Sequence, residues 1–252
     1  MTSPNGVILW RGPSTLDGGP IVVVATALSR ASANDKTGDM VQTYILRRDV
    51  NPVEAVATGA DRAVCGDCLH RGASCYVNIA QGPLVVWKSY KRGIYPRFSR
   101  RKHLDLFRRK PLRLGAYGDP CAAPLSAWAP VLTVAPSRAG YTHQWRTAEP
   151  GWRAVVMASA DSAAERAEAI ALGWRTFRVR RPGEPLLPLE IDCPARATLP
   201  EAQRLTCARC RACDGALPSA RAVTISIELH GPAPTMPWRL EQFTRRVALA
   251  TI

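Results

Sequence analysis

The stretch that decides the fold is Val155-Val-Met-Ala-Ser-Ala-Asp-Ser-Ala-Ala-Glu-Arg-Ala-Glu-Ala-Ile-Ala-Leu-Gly-Trp-Arg-Thr-Phe-Arg-Val179. It opens on a short apolar run, Val155–Ala158, which reads as a strand. Ser162-Ala-Ala-Glu165 follows as a capping box, so a helix is expected to run to Ala171 or Leu172, with Gly173 as its stop. Phe177–Val179 then reads as the next strand. Two strands joined by a helix in so few residues lie parallel in one sheet, because only a crossover connection can return the chain in the same direction.

The same alternation extends in both directions. Ile21–Ala25, Val41–Leu46, Leu84–Trp87, Arg113–Tyr117, Tyr141–Gln144, Leu189–Asp192 and Val223–Leu229 also read as strands. Asn51 is placed to cap a helix with Pro52 at its first position, Glu54 at its third and Gly59 as its stop. Pro124–Ala129 reads as a further short helix. The expected fold class is α/β, a partial or complete (β/α) barrel, with a doubly wound open sheet as the second architecture. Residues 1–35 read as an irregular cap, 36–231 as the barrel-like domain and 232–252 as a tail. Within the domain, 88–112 reads as a basic insertion and 193–221 as a cysteine-rich segment.

A chain of 252 residues with 46% apolar and 21% charged residues buries a real core and is not a disordered polymer. The longest clean apolar run, Ile21–Leu28, is far too short to cross a bilayer. The first residues carry neither the basic nor the apolar region of a secretory signal, so the expected location is the cytoplasm. Thiols stay reduced there, and eight cysteines point to metal or cluster ligands rather than disulfides.

The net charge of +14 is concentrated. Lys88, Lys91, Arg92, Arg97, Arg100, Arg101, Lys102, Arg108, Arg109, Lys110 and Arg113 face a single acid, Asp105, within residues 88–113. Trp87, Tyr90, Tyr95, Phe98 and Phe107 are interleaved with them. Cations that neutralise phosphates beside rings that stack on bases make nucleic acid the expected partner, and the first ten of those cations the expected contacts. A solvated basic loop has the same composition. No membrane partner is expected.

Cys193, Cys207, Cys210 and Cys213 form the later cysteine group. Three thiolates at intervals of three can face one point, the spacing by which ferredoxin-type loops hold an iron–sulfur cluster, with Cys193 as fourth ligand. Four thiolates also suit tetrahedral zinc. Cys65, Cys68 and Cys75 form the earlier group, followed directly by Tyr76. Three thiolates leave one iron of a cubane open, and His70 is the residue that would instead close a zinc site; His103 reads as an ordinary surface residue. Cys121 has no partner nearby and reads as a small buried residue. Tyr141, His143 and Gln144 sit near a strand end and form a candidate substrate wall, with a satisfied core histidine as the plain alternative. No P-loop and no nucleophile elbow occurs.

In order, these pieces resemble radical S-adenosylmethionine (radical SAM) enzymes, and the cysteine pattern is similar to uncharacterised phage and prophage protein families. The resemblance spans roughly residues 40–231. It rests on a three-cysteine loop ending in Cys75-Tyr76 after the first parallel strand, on Gly118-Asp119-Pro120 after Arg113–Tyr117, on Ser159-Ala-Asp161 after Val155–Ala158, and on the later cysteine group. The loop is Cys-x2-Cys-x6-Cys where that family has Cys-x3-Cys-x2-Cys. The resemblance implies one or two [4Fe–4S] clusters and S-adenosylmethionine as cofactors, with zinc as the alternative metal. It implies that Cys65, Cys68 and Cys75 hold the first cluster, Asp119 accepts from the methionine ammonium, and Tyr76, Ser159 and Asp161 contact the cofactor. Asp119 and His143 are the candidate catalytic residues. The expected function is an iron–sulfur enzyme modifying a nucleic acid or nucleotide. The alternatives are a zinc-stapled nucleic-acid-binding protein of phage or mobile-element type without catalysis, and a metal-stapled barrel that modifies or cuts nucleic acid through Asp119, Asp161 and His143.

Overall fold

The computed structural model describes residues 3–196, 199–200, 203–215, 223–230 and 237–249. In chain order the elements are β1 (Gly6–Pro13), β2 (Pro20–Thr26), β3 (Val41–Arg47), α1 (Pro52–Thr58), α2 (Arg62–Cys65), α3 (Gly82–Lys91), α4 (Arg100–Phe107) and β4 (Leu112–Tyr117). They continue with α5 (Leu125–Leu132), β5 (Arg138–Thr142), β6 (Met157–Ala160), α6 (Ala163–Ala171), β7 (Thr176–Arg180), β8 (Glu190–Asp192), α7 (Cys207–Cys210), β9 (Thr224–Glu228) and α8 (Pro237–Leu249).

The strand–helix–strand unit forms as read. The Ser162 hydroxyl accepts from the Glu165 N–H at 3.1 Å, and Glu165 reaches back to the Asp161 N–H at 2.8 Å. Gly173 closes the helix with a positive φ of 82°. Asn51 caps α1 through the N–H groups of Val53 and Glu54. All nine strands join one sheet in the order β1-β2-β3-β4-β5-β6-β7-β9-β8. β1, β2 and β3 pair antiparallel, and every pairing from β3 to β8 is parallel.

This order corrects two expectations. The sheet is open, with β1 and β8 as its edges, so a complete barrel is not formed. The strands from β3 to β7 succeed one another without a reversal, so a doubly wound sheet is not formed either. Crossovers that step in one direction and keep the same hand leave one face of the sheet free of connecting helices. Alternation along the strands then sorts the side chains. Leu112 and Leu114 of β4 enter the large core with Val22, Val24, Ile45, Val156 and Ala158, where Trp128 and Trp152 meet edge to face at 6.3 Å. Arg113 and Gly115 of β4, Ala139 and Tyr141 of β5, Phe177 and Val179 of β7 and Ile225 of β9 line a cavity.

Four local expectations are also corrected. Leu84–Trp87 is helical, inside α3, because Gly82-Pro83 starts a helix and a four-residue apolar run has no period of its own. β5 and β6 start three residues earlier and two residues later than read, which puts Ser159 inside a strand. The first 35 residues are not an irregular cap: Gly6–Pro13 pairs with β2 and shields the sheet edge, while Pro96–Phe98 hydrogen-bonds to Ile8 on its outer side. The basic segment 88–112 holds the end of α3 and all of α4 and belongs to the crossover from β3 to β4 rather than being an insertion. In the region read as a tail, α8 buries Phe243. No helix among the described residues is long and apolar enough to cross a membrane.

Candidate metal centre and substrate cavity

The earlier cysteine loop is held by cations. The Arg71 guanidinium donates to both oxygens of buried Asp61, at 2.7 and 3.1 Å, and to the carbonyls of Gly66 and Gly59. Gly66 turns the chain with a positive φ of 55° directly after Cys65, where a Cβ would collide with the Gln144 amide. Arg246 of α8 donates to the carbonyls of Leu69 and Arg71 from the other side. The loop is tied to the end of β4 by the Asp119 N–H, which donates to the Val64 carbonyl at 2.6 Å.

The later group is pinned by backbone bonds. The Cys193 N–H donates to Ser226 of β9 at 2.8 Å. At the start of α7, Cys207 and Ala208 donate to the carbonyls of Lys36 and Thr37, just before β3. Arg211 adopts a left-handed φ of 57°, and the Cys213 carbonyl then accepts from the Gly140 N–H of β5. Part of segment 193–221 lies outside the described residues.

These anchors converge. Cys65, Cys68, Cys75, Cys193, Cys207, Cys210 and Cys213 all line one cavity of about 300 Å³. Tyr76, Asp119, His143 and Ser159 line it too, so the structure brings together every candidate cofactor residue except Asp161. Cys121 is buried in the core, where it packs as a small apolar residue.

Asp119 joins three segments. One carboxylate oxygen accepts from the Cys121 N–H at 2.9 Å, and the other from the Thr142 hydroxyl and the His143 N–H at 3.0 and 2.9 Å. Burial raises its pKa against these bonds. Asp161, at the end of β6, is buried with no exposed side-chain surface. Its oxygens contact His70 Nε2 and His143 Nε2, each at 3.1 Å. Burial alone would raise the Asp161 carboxyl, yet the two imidazoles hold it far below the usual carboxylate range. Burial opposes the charged forms of His70 and His143 as well. Asp161 nonetheless raises His70, and Cys68 together with Asp161 raises His143 further. Cys68 Sγ lies 3.8 Å from His143 Nε2, and that imidazole lowers the thiol against its burial. Burial pushes Cys75 up to about 11 and Cys213 up to about 12.

Sequence reasoning missed Lys36 and Arg113 as cavity residues; His230, which follows the last strand and has the same two readings from sequence as His143, lines the cavity too. Arg113 had been grouped with the exposed basic tract, but it is buried, and its guanidinium donates to the Tyr76 hydroxyl at 2.6 Å. The available signal was its place in the apolar alternation Leu112-Arg113-Leu114. Lys36 Nζ lies 3.4 Å from His230 Nε2, whose ring stacks on Tyr76 at 5.2 Å. Among the described residues neither Lys36 nor Arg113 pairs with a carboxylate. His103 is buried rather than on the surface, where its Nδ1 accepts from the Ser99 N–H and caps α4. Of the ten predicted nucleic-acid contacts, all but Lys110 are exposed; Lys110 pairs with Asp39 at 2.7 Å.

No protein-family model, curated protein or solved structure matches the chain.

Proposed function

We propose that the chain is a metal–thiolate enzyme of the radical SAM type, whose cofactor and substrate meet in the cysteine-lined cavity. The observation that carries this reading is the convergence of two cysteine groups, more than a hundred residues apart in the chain, on one cavity with Asp119, His143 and Ser159. The open sheet of successive parallel strands is the scaffold that a partial barrel requires.

The donor chemistry fits. Among the described residues no three thiols lie within 4.8 Å of one another, although His70, His143 and Asp161 do. Four thiolates on one zinc ion stand closer than that, because each zinc–sulfur bond is about 2.3 Å. A cubane holds its thiolates farther apart, on separate irons. Lys36 and Arg113 add a second argument. Arg113 is buried and Lys36 partly so; cations taken out of water require a counter-charge, and a metal–thiolate centre at Cys193, Cys207, Cys210 and Cys213 carries one.

Cys65, Cys68 and Cys75 would hold a [4Fe–4S] cluster with one iron open. The chemistry such a cluster supplies when bound is one-electron reductive cleavage of the sulfonium of S-adenosylmethionine. Asp119 lines the cavity, and the one lone pair that Cys121, Thr142 and His143 leave on its carboxylate would accept from the methionine ammonium. Ser159 offers its hydroxyl to the ribose. Asp161 acts through the histidines, orienting the His143 ring at the cavity wall. The exposed cations of the α3–α4 crossover would bring in a nucleic acid.

Anaerobic purification, a visible spectrum and iron, sulfide and zinc analyses test the reading. Iron and sulfide, with reductive cleavage of S-adenosylmethionine, are the expected result. A colourless protein with stoichiometric zinc and no sulfide overturns it.

A further inference from the structure

Outside the thiol sets, one cluster of ligating side chains has the composition and the shape of a second kind of site. Two imidazole nitrogens and one carboxylate converge where β5 and β6 end: His143 follows β5, Asp161 follows β6, and His70 reaches them from the cysteine loop. Their ligand atoms lie within 4.8 Å of one another. The carboxylate contacts each imidazole at 3.1 Å, a separation that two ligands of one ion also adopt when each bond is about 2.0–2.2 Å.

The surroundings hold these donors in place. His70 Nδ1 lies 2.7 Å from the Ser74 hydroxyl, which fixes the ring so that Nε2 points at the carboxylate. Phe243 of α8 stacks on the other face of His70 at 5.3 Å between ring centres. The His143 backbone N–H is held by Asp119, and the Asp161 N–H by Glu165. Every donor therefore sits at a strand end or on a stapled loop. Both histidines border the cavity while Asp161 lies behind them, so an ion bound here would present its free position to the cavity.

We infer that His70, His143 and Asp161 form a mononuclear site for a divalent transition-metal ion, with a coordination position open toward the cavity for a water or a substrate oxygen. Two histidines and one carboxylate with an open position are the donor set of catalytic zinc and of non-haem iron(II), and they differ from the all-thiolate sets nearby. The ion would work beside whatever the cysteines hold, and the inference does not depend on the cluster reading.

Zinc is the probe. Crystals of the protein, stripped with a chelator and reloaded with zinc, are measured for anomalous scattering at the zinc edge. A peak bounded by His70 Nε2, His143 Nε2 and the Asp161 carboxylate is expected. Its absence under zinc excess, with the three side chains still bonded to one another, overturns the site. In solution, His70→Gln and Asp161→Asn are each expected to bind one zinc equivalent fewer than the parent, with iron and sulfide unchanged. Circular dichroism verifies that each variant is folded. Unchanged zinc stoichiometry in both folded variants overturns the inference. An ion here without iron or sulfide would end the cluster reading and leave this one standing; iron and sulfide without an ion here would do the reverse.

Discussion

The two cysteine groups share a cavity but are held there differently. The earlier loop, Cys65 to Cys75, brings its own charge network: Arg71 on Asp61, Arg246 on two loop carbonyls, and His143 beside Cys68. The later group is held by backbone bonds to Lys36, Thr37, Gly140 and Ser226 and by two arginines, Arg138 on Asp214 at 2.9 Å and Arg175 on the Ala212 and Asp214 carbonyls, while Lys36 and Arg113 face its thiols. In the earlier loop the Arg71 guanidinium and the His143 imidazole already face carboxylates, Asp61 and Asp161. Beside the later group, half-buried Lys36 and buried Arg113 face no carboxylate among the described residues, an arrangement that metal-bound thiolates would complete. The difference lies in counter-charge: Lys36 and Arg113 beside the later group lack a carboxylate among the described residues, and Arg71 and His143 at the earlier loop each have one.

The largest effect is therefore expected at the later group. Serine at both Cys207 and Cys210 should remove that centre and cost on the order of 5 kcal/mol, below the roughly 10–16 that structural zinc contributes in small fingers. Denaturant unfolding of anaerobically purified protein, with metal analysis, measures it. The paired substitutions Cys65→Ser and Cys75→Ser should cost distinctly less, and equal losses would break the comparison.

Asp161→Asn comes next. It leaves two buried imidazoles facing a neutral amide and should cost about 3–5 kcal/mol in metal-free protein. Its pH dependence is specific. The Asp161 carboxyl is depressed in the fold, so its contribution is present above the unfolded carboxyl value and lost as pH falls through the folded one. His70 and His143 are raised, so theirs is full below the unfolded imidazole value and lost as pH rises through the folded ones. The network should stabilise most between about pH 4 and 6.5, and a pH series of unfolding curves should be flatter for Asp161→Asn on both sides of that window, below it and above it. Superimposable profiles would remove the network from the stability of the earlier loop.

Arg71→Ala is expected to be milder, about 2 kcal/mol, because the arginine is partly solvated while Asp61 is left buried without its partner. Thiol accessibility to an alkylating reagent sharpens the same point: Cys65 and Cys68 should become more reactive, and Cys193 should not. The smallest effect belongs to the crossover surface. Glutamine at Arg100, Arg101, Lys102, Arg108 and Arg109 should change stability by less than about 0.5 kcal/mol per site. It should also flatten the salt dependence of nucleic-acid affinity, measured by fluorescence anisotropy; an unchanged slope would take this surface out of any nucleic-acid contact.

Several elements were legible because their signals are local. The Ser162 cap and Gly173 stop mark α6, Asn51-Pro52 and Gly59 mark α1, and the alternation of strands with helices announces parallel pairing. Leu84–Trp87 was misread because four apolar residues are too few to show a period, and the deciding Gly82-Pro83 lies just outside the run. Gly6–Pro13 was passed over because its glycines and terminal proline look like loop chemistry, whereas pairing with β2 across a bulge makes it a strand. The candidate cofactor positions were found from residue type and order. Their geometry was not, since the bond from His70 to Asp161 joins residues 91 apart in the chain.

By itself the sequence determined the helices α1 and α6 and most of the parallel strands, which residues offer sulfur, imidazole and carboxylate donors, and where most of the exposed positive charge lies. Backbone periodicity, caps and composition act over a few residues, and they are read without knowing the rest of the chain. Only the tertiary structure decided that the sheet stays open, that seven cysteines share one cavity, that Arg113 turns inward, and that His70, His143 and Asp161 meet. Each of these depends on the order in which strands pair and on loops packed across the free face of the sheet. Contacts of that range are set by the assembled core and by no local pattern.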